Sequence, residues 1–309
     1  GASINNIYCN QQGRYRLDRY YQINSATLAN TICDYLVTTF LDTDLAPRLN
    51  GGQLPDKTGL KKIIFQLKMR IKKADYLLPK RNLLADNKLS PADNITITPF
   101  VGCGAHSNLL NQAIRQIVQQ AQTELLILTP YFNLPKPLAK DISKALKRGV
   151  KVTIIIGDKT ANDFYIPPEK PFTTIGLVPY LYEVLLARYV KKQKRNIDKG
   201  LLNIRLWKEG SNSFHLKGMI ADSRYHFITG SNLNPRAWAL DLENGLLLDD
   251  PKGLLMPTFE QEWAGLLKNT QLISHYNEID SMSSYPEKPR NLLKRLRMVQ
   301  IDRLLKRFL

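Results

Sequence analysis

Cysteine and histidine are both scarce in this chain, with three of the one and four of the other among 309 residues. Cys9, Cys33 and Cys103 are odd in number, widely separated and without a C-x-x-C pair. That pattern excludes a disulfide framework or a zinc-ribbon spacing, and it predicts buried thiols in a reducing compartment. No stretch of about 18 apolar residues occurs, so none of the sequence reads as a membrane-spanning helix. The opening residues, GASINNIYCNQQ, lack the basic start and apolar core of a secretion signal. Acidic residues are also short, with 27 Asp and Glu against 44 Lys and Arg, a formal net charge of +17. Such a field attracts polyanions, and charge alone leaves open an anionic membrane face, nucleic acid or a ribosome surface. What remains is ordinary: 43% hydrophobic residues and a mean hydropathy of −0.28 describe a chain able to build globular cores.

Three segments are expected from the pattern. Residues 1–94 open with the Tyr- and Arg-rich GRYRLDRYYQINS, followed by a helix from Ser25 to Phe40 with Ser25 as its cap. Leu60, Ile63, Ile64, Phe65, Leu67, Ile71 and Ala74 then recur at three- and four-residue spacing, predicting a helix over 60–76 with one apolar stripe and a lysine-rich opposite face. In residues 95–288, β-branched runs (NITITPF, ELLILTPYF, KVTIIIGD) alternate with helical spacings, which implies crossover units and an α/β fold with a mixed, largely parallel sheet. VGCGAHS lacks the third glycine of a dinucleotide loop and the Lys-Ser/Thr of a phosphate loop, and reads as a turn. Residues 289–309 form a basic amphipathic tail whose apolar face shifts near Gln300, suited to an anionic lipid interface or to docking on the core.

The polar island that carries chemistry is FHLKGMIADSRYHFITGSNLN. On a strand, His215 and Lys217 point to the same side, with Asp222 near the following turn. Imidazole and ammonium side by side suit a phosphodiester: one attacks phosphorus or moves a proton, the other neutralises developing charge. Ser231 and Asn234 add neutral donors for a phosphate. Glu243, in an otherwise apolar strand, is expected to hold the second nitrogen of His215, as the acid does in a Ser-His-Asp triad. His106, His226 and His275 have no lysine two residues later, and His226 is expected to be a surface or packed residue.

H-x-K-x4-D followed by G-S-x-x-N and a glutamate resembles the signature of the phospholipase D superfamily. The wider wording TPYFNLP, GDKTANDFYIP and NLNPRAWALDLENG is similar to the phosphatidylserine synthases of Gram-negative bacteria, along the whole chain. The resemblance implies two phospholipase-D-like αβα domains, the first N-terminally incomplete. It implies transfer of a phosphatidyl group from CDP-diacylglycerol to L-serine through a phosphatidyl-histidine intermediate, without metal or other cofactor. It implies a peripheral protein on the cytoplasmic face of the inner membrane, held there by the basic tail. Lys159, Asn162 and Asp163 become candidates for substrate contacts; a turn rich in Asp and Asn explains the same letters. A phospholipase-D-like nuclease is the competing reading, for which +17 would serve nucleic acid.

The family pairs two such motifs, and only one is here. GASIN at residues 1–5 can be laid on GSNLN at 230–234, placing Ser3 and Asn5 as the matching phosphate donors and Asp18 where Glu243 stands. The sequence is therefore expected to be a piece beginning just after a first motif, with Asp18 orienting the histidine of that motif, and to be inactive alone. The upstream histidine of the family is often the nucleophile, which assigns acid/base work to His215. Pairing of two identical chains across a two-fold axis stays open.

Overall fold

The computed structural model describes residues 6–9, 13–42, 45, 55–77, 83–84 and 95–298. Its centre is one sheet of nine strands in the order β11-β6-β5-β4-β8-β9-β10-β3-β2. The middle is parallel: β4 (Glu124–Thr129), β5 (Lys151–Gly157) and β6 (Leu202–Trp207) are joined by crossovers through α4 (Lys136–Arg148) and α5 (Val178–Lys192), and α3 (Leu109–Gln120) leads into β4. Antiparallel pairings flank it. On one side lie β8 (Gly218–Ala221), β9 (Tyr225–Thr229), β10 (Leu242–Asp249), β3 (Thr96–Cys103) and β2 (Leu83–Leu84), and on the other β11 (Thr270–Ile273). The expected α/β class and mixed sheet are present, with the parallel part confined to those three central strands.

Sequence alternation decides which face each core forms. Along β4, Leu125 and Ile127 point into the core beneath α3 and α4, while Leu126 and Leu128 join Trp207, Phe214 and Leu266 on the opposite face. A strand buried on both sides reads as a continuous apolar run, which is why ELLILT carries its only charge at its start. Helix ends follow local chemistry. Ser25 caps α1 (Ala26–Leu36) by accepting from Leu28 N, and Gly149 ends α4 in a left-handed conformation at φ 93°.

Departures from expectation have physical reasons. Of the stripe expected in α2 (Lys57–Leu77), Ile63, Leu67, Ile71 and Ala74 turn inward, whereas Leu60, Ile64 and Phe65 are exposed, so the packed stripe is narrower than the sequence suggested. Cys9 and Cys33 are exposed rather than buried, and Cys103 is intermediate. The expected boundary after residue 288 falls inside α9 (Glu287–Met298), which docks through Leu292, Leu293 and Leu296 against Leu177, Tyr180 and Tyr285. The first half of the basic tail is thus a packed helix; residues 299–309 lie outside the described residues. No helix among the described residues is long and apolar enough to cross a membrane.

Candidate active site

The element that builds the site is only two residues long. β1 (Arg16–Leu17) runs parallel to β7 (Ser213–Phe214), with Arg16 opposite Ser213 and Leu17 opposite Phe214. His215 N donates to Leu17 O at 2.9 Å, which extends the pairing by one step. The residues that follow each strand, Asp18 and His215, therefore arrive together. After Lys217 the chain must turn into β8, and Gly218 permits it: its φ is 133°, and a Cβ there would stand 2.6 Å from Phe227 O.

His215 Nδ1 lies 2.9 Å from Asp18 Oδ2, and the half-buried Tyr8 hydroxyl is 3.4 Å from the same nitrogen. Lys217 Nζ stands 2.7 Å from the same nitrogen, so ammonium and carboxylate compete for it; with the Lys217 hydrogens directed to His215 O and towards Asp18, an ionised Asp18 accepts from Nδ1–H and the lone pair of the neutral imidazole is assigned to Nε2. Lys217 Nζ donates to His215 O at 2.6 Å and stands 3.6 Å from Asp18. Burial alone would raise the Asp18 carboxyl; the hydrogen bond from His215 and the charge of Lys217 outweigh it and hold its pKa below the usual range. Burial lowers the Lys217 ammonium pKa, with Asp18, Asp163 and Glu243 opposing. On the other side of the ring, Nε2 is 3.8 Å from Asp163 Oδ2. Asp163 is held by Arg16 Nε at 2.9 Å and the Tyr131 hydroxyl at 3.0 Å.

The carboxylate in contact with His215 is not the one expected from the sequence. Asp18, expected to serve a histidine of another motif, holds His215; Glu243, expected to hold His215, instead faces the charges of Asp241, Lys217 and Arg236. The reason is the β1–β7 pairing, a contact between segments nearly 200 positions apart that no local pattern reveals. Burial first, and then Asp241, push the Glu243 carboxyl up to about 7. Asp222 is also corrected. It sits beyond the far end of β8 in a left-handed turn with Ser223, and its carboxylate accepts from the backbone of Gln122, Thr123 and Glu124 at 2.8–3.1 Å. That place ties the β8–β9 turn to the start of β4 rather than touching the imidazole.

Two further candidates are turned to other tasks. Lys159 pairs with Glu183 at 2.9 Å and Asp280 at 2.6 Å, beneath the rings of Tyr180 and Tyr285, and these carboxylates raise its pKa against the effect of burial. Asn162 accepts from Phe164 N within its own turn. Ser231 accepts from Leu233 N, and Asn234 caps the short helix α7 (Pro235–Ala239) by accepting from Ala237 N. Both are buried in the loop that Thr129 holds through Asn232 O at 2.7 Å. Ser3 and Asn5 lie outside the described residues. His226 is packed, 5% exposed and edge-on to Phe259, and burial lowers its pKa. Sequence reasoning missed Tyr8, Arg16 and Tyr131; the only available signal was the density of Tyr and Arg in residues 8–21.

With this geometry in place, comparison with known proteins is informative. Residues 114–264 match the family described as cardiolipin synthase, PLD-like domain. The chain is 40% identical over its full length to the CDP-diacylglycerol–serine O-phosphatidyltransferase PssA of Escherichia coli and covers 66% of it. It is 40% identical to the enzyme of the same name from Haemophilus influenzae, covering 67% of that protein. The crystal structure of phosphatidylserine synthase from Haemophilus influenzae superposes with a TM-score of 0.86 at 40% identity, over 100% of this chain and 67% of the other. The chain thus spans about two thirds of the length of these relatives. Similarity of this extent, over the full length of the chain, shows that it belongs to the phosphatidylserine synthase family within the phospholipase D superfamily.

Proposed function

We propose that this chain carries one side of the active site of a CDP-diacylglycerol–serine phosphatidyltransferase. The observation that carries the reading is the imidazole of His215, fixed by Asp18 at Nδ1 and flanked by Lys217, in a chain similar throughout to proteins of that name. His215 acts as the acid/base. Protonated at Nε2, it gives its proton to the oxygen of the departing CMP as a second histidine bonds to phosphorus; it then takes the proton of the serine hydroxyl as that oxygen displaces the histidine. Asp18 stabilises the imidazolium present before the first step and formed again in the second, and Lys217 offsets charge on the phosphoryl oxygens.

The second histidine comes from outside these 309 residues or from another copy of the chain, and Glu243 receives it. A half-buried carboxyl raised to about 7 is a group whose charge lacks a sufficient partner, and an imidazole would supply one. The lipid substrate puts the reaction at a membrane surface, approached by the basic C-terminal part from the cytoplasmic side.

The test is CMP release from CDP-diacylglycerol in mixed micelles, with and without L-serine, by the full-length protein and its His215→Ala variant. Serine-dependent release, reduced by about 10³-fold or more in the variant, supports the reading. Release that survives His215→Ala removes His215 from the mechanism. Cleavage of a nucleic-acid diester without CMP release would point to a nuclease instead.

A further inference from the structure

The site contains one carboxylate for which phosphodiester chemistry has no evident use. Asp163 Oδ2 lies 3.8 Å from His215 Nε2, on the side of the ring where phosphorus and acceptor must meet. A negative group there repels the anionic diester, so its presence needs a compensating role. Proton shuttling does not supply it. Arg16 Nε at 2.9 Å and the Tyr131 hydroxyl at 3.0 Å both donate to Asp163, so its oxygens are engaged as acceptors rather than positioned to pass a proton. Tyr131 is itself fixed, stacked on Tyr182 with ring centroids 5.3 Å apart, and burial followed by the Asp163 charge keeps its hydroxyl protonated as a donor. Arg16 is braced by its position in β1 and by the Tyr8 ring, 5.4 Å from its guanidinium carbon. The outcome is an ion pair held rigidly beside the reacting nitrogen, negative end nearest.

We infer that Asp163 binds the ammonium of the acceptor, so that the Arg16–Asp163 pair selects a zwitterionic amino alcohol. This rests on the proposed function and names the part of the site that chooses the acceptor. A 1,2-amino alcohol carries ammonium and hydroxyl on adjacent carbons, a span that fits the 3.8 Å between Oδ2 and Nε2 with one hydrogen bond to each. The carboxylate of serine then falls on the Arg16 side. In the transfer, the acceptor oxygen bonds to phosphorus, the bond from phosphorus to the nucleophilic histidine breaks, and the hydroxyl proton passes to His215 Nε2. Lys159, the other cation of this loop, is already paired with Glu183 and Asp280 and takes no part.

The experiment is a competition in one tube. Full-length enzyme and CDP-diacylglycerol receive equal L-serine and glycerate, which differ in an ammonium against a hydroxyl, and the two phosphatidyl products are measured by mass spectrometry. Wild type should favour serine by about 100-fold or more, and Asp163→Asn should reduce that ratio by about 10- to 100-fold, as expected for loss of a charge-assisted contact. Asp163→Glu should restore part of it. Because both products come from the same molecules, a misfolded fraction cancels from the ratio. A ratio unchanged in Asp163→Asn overturns the assignment. Should that variant make neither product, the wild-type ratio decides, since a wild type indifferent to the ammonium overturns it equally. Absence of CMP release from wild type, even to water, marks failure of the synthase reading itself, and the assignment falls with it.

Discussion

Asp18 and Glu243 are both half-buried carboxylates at the ends of the same site, and their sequence surroundings can be laid on one another, yet the protein treats them oppositely. Asp18 lies below the usual pKa range because an imidazole and an ammonium face it. Glu243 is raised to about 7 because burial and Asp241 outweigh Lys217 and Arg236. Desolvation acts on both; what differs is a partner in hydrogen-bond contact. The comparison teaches that a half-buried carboxylate is read by the group opposite it, not by its position in a motif.

The largest effects should come from removing each carboxylate's charge in the full-length protein. Asp18→Asn should lower serine-dependent CMP release by about 10³-fold through the wrong tautomer of His215, by the logic of the triad aspartate. Glu243→Gln should lower it comparably through the second histidine; a normal rate in Glu243→Gln would leave Glu243 without the proposed partner. Asp222 sharpens the contrast, since its partners are backbone amides. Asp222→Ala should cost about 2 kcal/mol of stability in chemical denaturation, because three amide donors lose their acceptor. The Asp222 pKa is depressed: burial works against this and the backbone hydrogen bonds prevail. Its stabilisation is therefore complete above the unfolded carboxyl value of about 3.9 and disappears as pH falls through the lower folded value, so wild type and variant should converge in acid.

The smallest effect has the opposite sign. Glu243 is raised from 4.5 to about 7 on folding, so its contribution is fullest below 4.5 and is lost as pH rises through 7. In the 309-residue chain, Glu243→Gln should therefore be more stable than wild type at pH 8, by about 1 kcal/mol after allowing for solvent screening, and no more stable at pH 4. Equal stability at both pH values would show that the carboxyl is not strained.

Much of this was legible from local pattern. The strands and helices from residue 95 onward, the Ser25 cap, the Gly149 stop and the closeness of His215 to Lys217 all follow from periodicity and short-range chemistry. The carboxylate partner of His215 was not legible, because a two-residue strand with no apolar alternation makes the connection. Asp222 misled because a motif letter does not say whether a side chain turns to the site or back to the main chain, and the left-handed turn at Asp222 and Ser223 decides that. Lys159 misled for a related reason: its two carboxylates come from α5 and from the segment before α9, remote in sequence.

The most direct test of the account is the imidazole of His215 observed by ¹⁵N and ¹H NMR in histidine-labelled protein, comparing wild type, Asp18→Asn and Glu243→Gln. The account predicts a low-field Nδ1–H proton in wild type, lost or switched in Asp18→Asn and retained in Glu243→Gln. A signal that survives Asp18→Asn and disappears in Glu243→Gln would contradict it.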